Sequence, residues 1–248
     1  MPVISAHNTD TGQVRTHNED YIWIDEETGL YIVADGLGGH EAGEQASQLT
    51  ATTAGQLIAA GLAKAGDQIS DAAVESLMQH ALEKANETVL TAARAAGQRR
   101  NMGATIVMAL VRLPLVHLCH VGDARAYMIR DGQLSRLTED DSYVAQLVSA
   151  GVISEEEARN HAYHSIVTKA IGQDPPLEPT STTIKISPDD WLLMCSDGLT
   201  DMVSDQELLA ESQQADGDPA NLVAALVEAA NSAGGKDNIS IVVLKVVA

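Results

Sequence analysis

Five aspartates, Asp20, Asp35, Asp123, Asp197 and Asp237, each stand where an apolar, strand-like run meets a tight turn. Carboxylates are hard oxygen donors, and with no clustered His or Cys beside them they select Mg²⁺ or Mn²⁺ over zinc or copper. Two such ions roughly 3.5–4 Å apart share and acidify a water, turn it toward phosphorus and stabilise the charge of an in-line displacement. The chemistry within reach of these residues is therefore divalent-metal hydrolysis of a phosphomonoester, for which no covalent phospho-enzyme is needed. Arg15 precedes Asp20 by one short segment, and a guanidinium fork matches phosphate oxygens two at a time, which makes Arg15 the candidate phosphate clamp. Its alternative role is a surface ion pair, a contact that typically contributes only ~0–1 kcal/mol. His40 has the pKa range for protonating a leaving alkoxide, with stabilisation of the glycine-rich turn before Gly43 as its alternative.

For these acids to act together, the chain must bring them to one place. In antiparallel pairs the start of one strand and the end of its neighbour share a sheet edge. Asp20 opens the run Tyr21-Ile22-Trp23-Ile24 and Asp35 closes Leu30-Tyr31-Ile32-Val33-Ala34, so a hairpin through Asp25–Gly29 places both at one end. Asp197 ends Trp191-Leu192-Leu193-Met194-Cys195 and Asp237 opens the run that starts at Ile239, which repeats the device. One end of a sandwich would then hold four carboxylates.

The remaining elements follow from periodicity. Val3–Asn8 joins the first two runs as strand. From Gly43 to about Leu62 and from Asp71 to about Ala96 the apolar spacing becomes helical, which predicts two antiparallel helices covering a sheet. Strands return at Ala104–Arg112, Leu115–Val121 and Ala124–Arg130, and Asp131-Gly132 turns the last into Leu134–Leu137, so a β-meander is expected. Ser142–Gly151, Ser154–His161 and Ser165–Ile171 read as a short helical insertion, with Ser154 and Glu157 spaced as a capping box. Strands at Thr182–Ile186 and Trp191–Cys195, helices at Asp205–Gln213 and Pro219–Ser232, and a last strand at Asn238–Val247 complete the chain. This order suits an α+β fold with two antiparallel sheets and helices on both outer faces.

Composition narrows the partners. The 248 residues carry a formal net charge of −20 with only 15 Lys and Arg, which argues against binding nucleic acid. Cys119 and Cys195 each lie in an apolar run without Cys-x-x-Cys spacing, so core thiols are expected rather than a disulfide or a zinc site. No window approaches the length of a membrane span and the first residues lack a basic-then-apolar segment, so a cytoplasmic protein acting as a monomer is expected. Gly36-Leu37-Gly38-Gly39 lacks the Gly-Lys-Ser/Thr ending of a phosphate-binding loop and fails the dinucleotide fingerprint.

Taken in order, the motifs are Gly12-x-x-Arg15-x-x-Asn18-Glu19-Asp20, Val33-Ala34-Asp35-Gly36-Leu37-Gly38-Gly39-His40-x-x-Gly43-Glu44, Gly122-Asp123-Ala124-Arg125, Ser196-Asp197-Gly198-Leu199 and Lys236-Asp237-Asn238-Ile239-Ser240. Together they resemble the metal-dependent Ser/Thr protein phosphatases of type 2C in their compact bacterial form, from about Asn8 to Val243. The resemblance implies a four-layer αββα sandwich occupying residues 1–248 as one catalytic domain, with a flap insertion at about 140–175. It implies two Mn²⁺ or Mg²⁺ ions held by Asp20, Asp35, the Gly36 carbonyl, Asp197 and Asp237, and a weaker third ion at Asp123 with Asp197. It gives Glu19 the task of orienting a water. It also implies phosphoserine and phosphothreonine proteins as substrates and a bacterial Ser/Thr kinase as the opposing enzyme. The alternative is a catalytically weak phosphoprotein-binding module of the same fold. Departures from the family pattern fall at Leu37, where animal members carry a His, and in the flap at Asp141, Ala162, His164 and Lys169.

Overall fold

The computed structural model describes residues 2–39, 41–66, 68–97, 102–174 and 176–247. In the first half, β1 (Val3–Asp10), β2 (Tyr21–Asp25) and β3 (Leu30–Leu37) precede α1 (Glu41–Ala65) and α2 (Asp71–Ala95). Next come β4 (Gly103–Arg112), β5 (Leu115–Val121), β6 (Arg125–Arg130) and β7 (Gln133–Arg136), and then the insertion with α3 (Tyr143–Ser149) and α4 (Glu155–Arg159). The chain ends with β8 (Thr180–Lys185), β9 (Trp191–Cys195), α5 (Asp197–Thr200), α6 (Asp205–Gln214), α7 (Pro219–Ser232) and β10 (Ile239–Val246).

The strands form two five-stranded antiparallel sheets. One runs β1-β10-β9-β6-β7 and the other β2-β3-β4-β5-β8. Because side chains alternate across a strand, a strand buried on both faces feeds two cores. On β3, Tyr31 and Val33 point into the layer between the sheets while Leu30, Ile32 and Ala34 pack beneath α1 and α2. On β9, Leu192 and Met194 fill the inter-sheet layer, and Trp191, Leu193 and Cys195 meet the helices on the other side. The result is the expected αββα stack, with α1 and α2 on one outer face and α6 and α7 on the other.

Local chemistry sets the helix ends. Ser70, Ser142, Ser154 and Ser204 are N-caps whose hydroxyls accept the backbone N–H three residues on, each stabilising its helix by about 1 kcal/mol. The Ser154 and Glu157 capping box is formed as the spacing predicts, and Ser204 with Glu207 makes a second. Asp218 caps α7, whose first residue is Pro219.

Two expectations are corrected. The predicted meander does not exist, because β4 and β5 lie in one sheet and β6 and β7 in the other, and the chain crosses between sheets at Gly122-Asp123-Ala124. Gly122 makes the crossover possible: it sits at φ +101°, and a Cβ there would strike the Thr105 side chain. Ser165–Ile171 is also not helical. Its backbone pairs outward instead, with Val167 bridging Ser142 and Ile171 exchanging hydrogen bonds with Ala104 (2.8 and 3.0 Å), which ties the insertion's return to the start of the central strand β4.

Candidate active site

The β2–β3 hairpin sets Asp20 beside Asp35. Tyr21 pairs with Ala34, so the residue before one and the residue after the other meet at the same strand ends. On the second sheet Cys195 pairs with Ile241 and the Ser196 N–H donates to the Ser240 carbonyl (3.0 Å), which brings the turn after β9 and the turn before β10 together. Those turns carry Asp197 and Asp237. Asp123 arrives on the crossover that links the two sheets, so its place in the cluster depends on the topology the sequence did not reveal.

Burial and crowding shape the acids' protonation. Asp35 is pushed well above the ordinary carboxylate range by burial and then by the neighbouring charges of Asp20, Asp197 and Asp123. Asp197 rises well above its range through burial and then through Asp123, Asp201 and Asp237. Asp123 is raised to about 7, by burial first and Asp140 next, with Arg125 partly offsetting them. Asp20 is raised to about 6 by burial, although hydrogen bonds with Ser196 and Ser240 work against it. Four buried carboxyls, each held above the ordinary range by burial and by neighbouring acids, form a site that favours a cation.

The donor set fits hard divalent ions. Asp20 Oδ1 and Asp197 Oδ1 are buried and accept no hydrogen bond within the protein, a costly arrangement for a carboxylate unless a further positive partner serves it. Asp35 and Asp197 lie within hydrogen-bonding reach of each other. Among the described residues, no three His, Cys, Asp or Glu side chains already enclose a single ion position. The other oxygens of two of the acids already have partners: Asp20 Oδ2 accepts from the Ser196 hydroxyl (2.7 Å), and Asp237 Oδ2 from Arg15 (2.6 Å).

Glu19 and Gly36 are placed by a three-way backbone contact. The Glu19 carbonyl accepts the Gly36 N–H (3.1 Å) and the Ser47 hydroxyl (2.5 Å) from α1. A Cβ on Gly36 would collide with the Gly43 and Glu19 carbonyls, and one on Gly43 with the Glu19 carboxylate. Only glycine at both positions lets the end of β3 and the start of α1 close on Glu19, which explains the spacing of Gly36 and Gly43 in the motif. His40 lies outside the described residues.

Arg15 reaches the cluster from the loop between β1 and β2. Its guanidinium Nη2 donates to Asp237 and stays half exposed, leaving further N–H groups of the fork for a ligand. Asn238 locks this loop: its amide donates to the Thr11 (3.0 Å) and His17 (2.9 Å) carbonyls while its oxygen accepts the Glu19 N–H (2.8 Å). Asn238 thus ties Arg15, Glu19 and Asp237 into one unit. Sequence reading passed over its role, and over those of Ser196, which bridges Asp20 and the Ser240 N–H (3.0 Å), and Asp201. Asp201 had a detectable signal, since it follows Asp197 by one helical turn, and its N–H donates to the Asp197 carbonyl (2.8 Å). Arg125 is structural: its fork grips Asp140 in bidentate fashion, at 2.9 and 2.6 Å.

Comparison with known proteins identifies the family and its fold. The family described as protein phosphatase 2C matches residues 10–236. The serine/threonine phosphatase stp of Listeria innocua is 32% identical over 242 residues, covering 96% of this chain and 93% of its own length. The solved structure of serine/threonine phosphatase Stp1 from Staphylococcus aureus superposes with a TM-score of 0.89 at 31% identity, over 100% of this chain and 96% of that one. That of the PstP catalytic domain in complex with 2 manganese ions superposes with a TM-score of 0.82 at 32% identity, over 99% of each chain. The chain belongs to the protein phosphatase 2C family. It is a protein-serine/threonine phosphatase, and among the described residues no helix is long and apolar enough to cross a membrane.

Proposed function

We propose that this phosphatase works with two divalent ions, Mn²⁺ or Mg²⁺, held by Asp20, Asp35, the Gly36 carbonyl, Asp197 and Asp237, with a weaker third ion at Asp123 and Asp197. When bound, the ions supply Lewis acidity and an activated water for in-line displacement at phosphorus. The observation that carries the reading is the set of buried, mutually repelling carboxyls with unpartnered oxygens at Asp20 and Asp197. The manganese in the PstP structure, a protein of the same fold, supports it.

The chain's own residues divide the remaining work. Arg15 clamps the substrate phosphate by exchanging part of its contact with Asp237 for phosphate oxygens, so one side chain responds to whether substrate is present. Glu19, held against Gly43, orients the attacking water. His40 protonates the departing alkoxide of serine or threonine. The flap at about 140–175 borders this cleft and meets the protein part of the substrate, and residues 1–248 act as one catalytic domain. Substrates are phosphoproteins generated by a Ser/Thr kinase of the same pathway.

The test is a metal-dependence assay on phosphoserine, phosphothreonine and phosphotyrosine peptides. Turnover of the first two that requires Mn²⁺ or Mg²⁺ and is abolished by a chelator is the expected result. Tight binding of these peptides without turnover at any metal concentration would identify a binding module instead.

A further inference from the structure

Two consecutive acids at the root of the flap hold both ends of the turn that presents Asp123. The Asp141 N–H donates to the Gly122 carbonyl (2.9 Å), and Asp141 Oδ2 accepts the Gly122 N–H (3.1 Å), so Gly122 is bonded to this one residue through both of its backbone polar groups. At the other end of the turn, Asp140 takes the Arg125 fork through both carboxylate oxygens. Asp123 lies between these two anchors, and Asp140 contributes the largest neighbouring charge acting on it. The second oxygen of Asp141, Oδ1, pairs with Lys169 (2.9 Å), and its carbonyl accepts the Thr168 N–H (2.7 Å), both from the segment that brings the flap back. The Asp141 carboxylate is largely buried, at 12% exposure, against 41% for Lys169.

We propose that Asp141 is a positioning residue for the metal site: it clamps Gly122 from the flap root, and so sets the backbone that aims Asp123 and joins that aim to the outgoing and returning arms of the flap. The inference rests on the reading of Asp123 as a ligand of the weaker ion. It follows from how few restraints this turn has. Gly122 is left-handed and has no side chain to pack, and in a residue free to adopt many backbone conformations the direction of the next side chain is set by whatever holds its N–H and C=O. Here a single aspartate holds both. Supporting contacts of this kind typically alter metal affinity or activity by roughly 10- to 100-fold when removed.

The experiment titrates the full chain with Mn²⁺ by calorimetry and measures kcat and KM for p-nitrophenyl phosphate across Mn²⁺ concentrations, for the wild type, Asp141→Ala, Asp141→Asn, Asp141→Glu and Asp123→Ala. Asp141→Ala is expected to weaken the low-affinity Mn²⁺ binding about 10-fold or more, with kcat falling at unchanged KM. Asp141→Asn, which retains an acceptor for the Gly122 N–H, is expected to recover most of that binding. Asp141→Glu keeps the charge but moves the acceptor by one methylene, and is expected to fall between them. It decides the question if the alanine variant does not fold. Wild-type Mn²⁺ affinity and kcat in folded Asp141→Ala or Asp141→Glu, with Asp123→Ala impaired, would overturn the positioning role. An unimpaired Asp123→Ala would overturn the ligand reading beneath it.

Discussion

Strand β9 has a buried aspartate at each end, and the two live in opposite environments. Before it, Asp190 is 4% exposed, yet both its oxygens are served by Arg130 and one also by the Ser187 N–H (2.7 Å). Burial alone would raise its pKa, and these donors overcome that and leave it below the ordinary range. After the strand, Asp197 has an unpartnered oxygen and three acidic neighbours, and its pKa is driven far up. A few residues apart, the same side chain is a structural staple in one place and an unsatisfied charge in the other. What separates them is the sign of the surrounding charge: a buried carboxylate that the protein neutralises adds to the fold, whereas one surrounded by its own kind costs stability that a cation from solution can return.

The comparison breaks most sharply at Asp35. Asp35→Asn is expected to lower Mn²⁺-dependent p-nitrophenyl phosphate turnover by about 100-fold or more, the scale of losing a major electrostatic contribution to the transition state. The same variant removes a repelling charge, so the metal-free chain should melt about 2–4 °C higher, the shift that ~1 kcal/mol produces at this size. Undiminished turnover in steady-state assays would remove Asp35 from the site. At the other end of the strand the outcome should invert. Arg130→Ala leaves the Asp190 carboxylate buried without its fork, and chemical denaturation should show a loss of about 2–3 kcal/mol, discounted from the fully buried case because Arg130 is 41% exposed. Its kcat/KM per folded molecule should stay at the wild-type value.

Arg15→Ala tests whether the cation at the cleft serves substrate or only Asp237. A KM for p-nitrophenyl phosphate about 10-fold higher, equivalent to ~1.4 kcal/mol, with a smaller change in kcat, is expected. An unchanged KM would make the 2.6 Å contact with Asp237 its whole role. The smallest effect is on pH dependence. Asp20, Asp35, Asp123 and Asp197 have folded pKa values above those of the unfolded chain, so the native state binds more protons between about pH 4 and 7, and metal-free stability falls as pH rises through that window. Asp201, also raised by burial, acts in the same sense, and His117, whose pKa burial lowers, acts in the opposite one, a single group against five. Melting in chelator should therefore occur at higher temperature at pH 5 than at pH 8, and added Mn²⁺ should stabilise more at pH 8. A melting temperature that rises from pH 5 to pH 8 in chelator would contradict the electrostatic picture of the site.

Much of this was legible before any coordinates. The apolar run Leu30–Ala34, the Ala-rich helical spacing after Gly43, the Ser154–Glu157 capping box and the Asp131-Gly132 turn are all set by residues within a few positions of one another. The convergence of Asp20 with Asp35 follows from one hairpin, and that of Asp197 with Asp237 from one strand pair. What was missed involves partners remote along the chain. The crossover at Gly122 looks like any other strand connection until the two sheets are assigned, and Ser165–Ile171 has helical spacing but finds better backbone partners at Ala104 and Ser142.

Local sequence, then, determined the elements, their caps and the acids at their ends, because propensity and periodicity act over one or two turns of chain. Only the tertiary structure decided which sheet each strand joins, that Asn238 and Ser196 knit the acid cluster together, that Arg15 lands on Asp237, and that Asp190 is neutralised while Asp197 is not. Those outcomes depend on burial and on charges brought close by folding, and the electrostatic energy of a carboxylate is a property of its surroundings rather than of its position in the sequence.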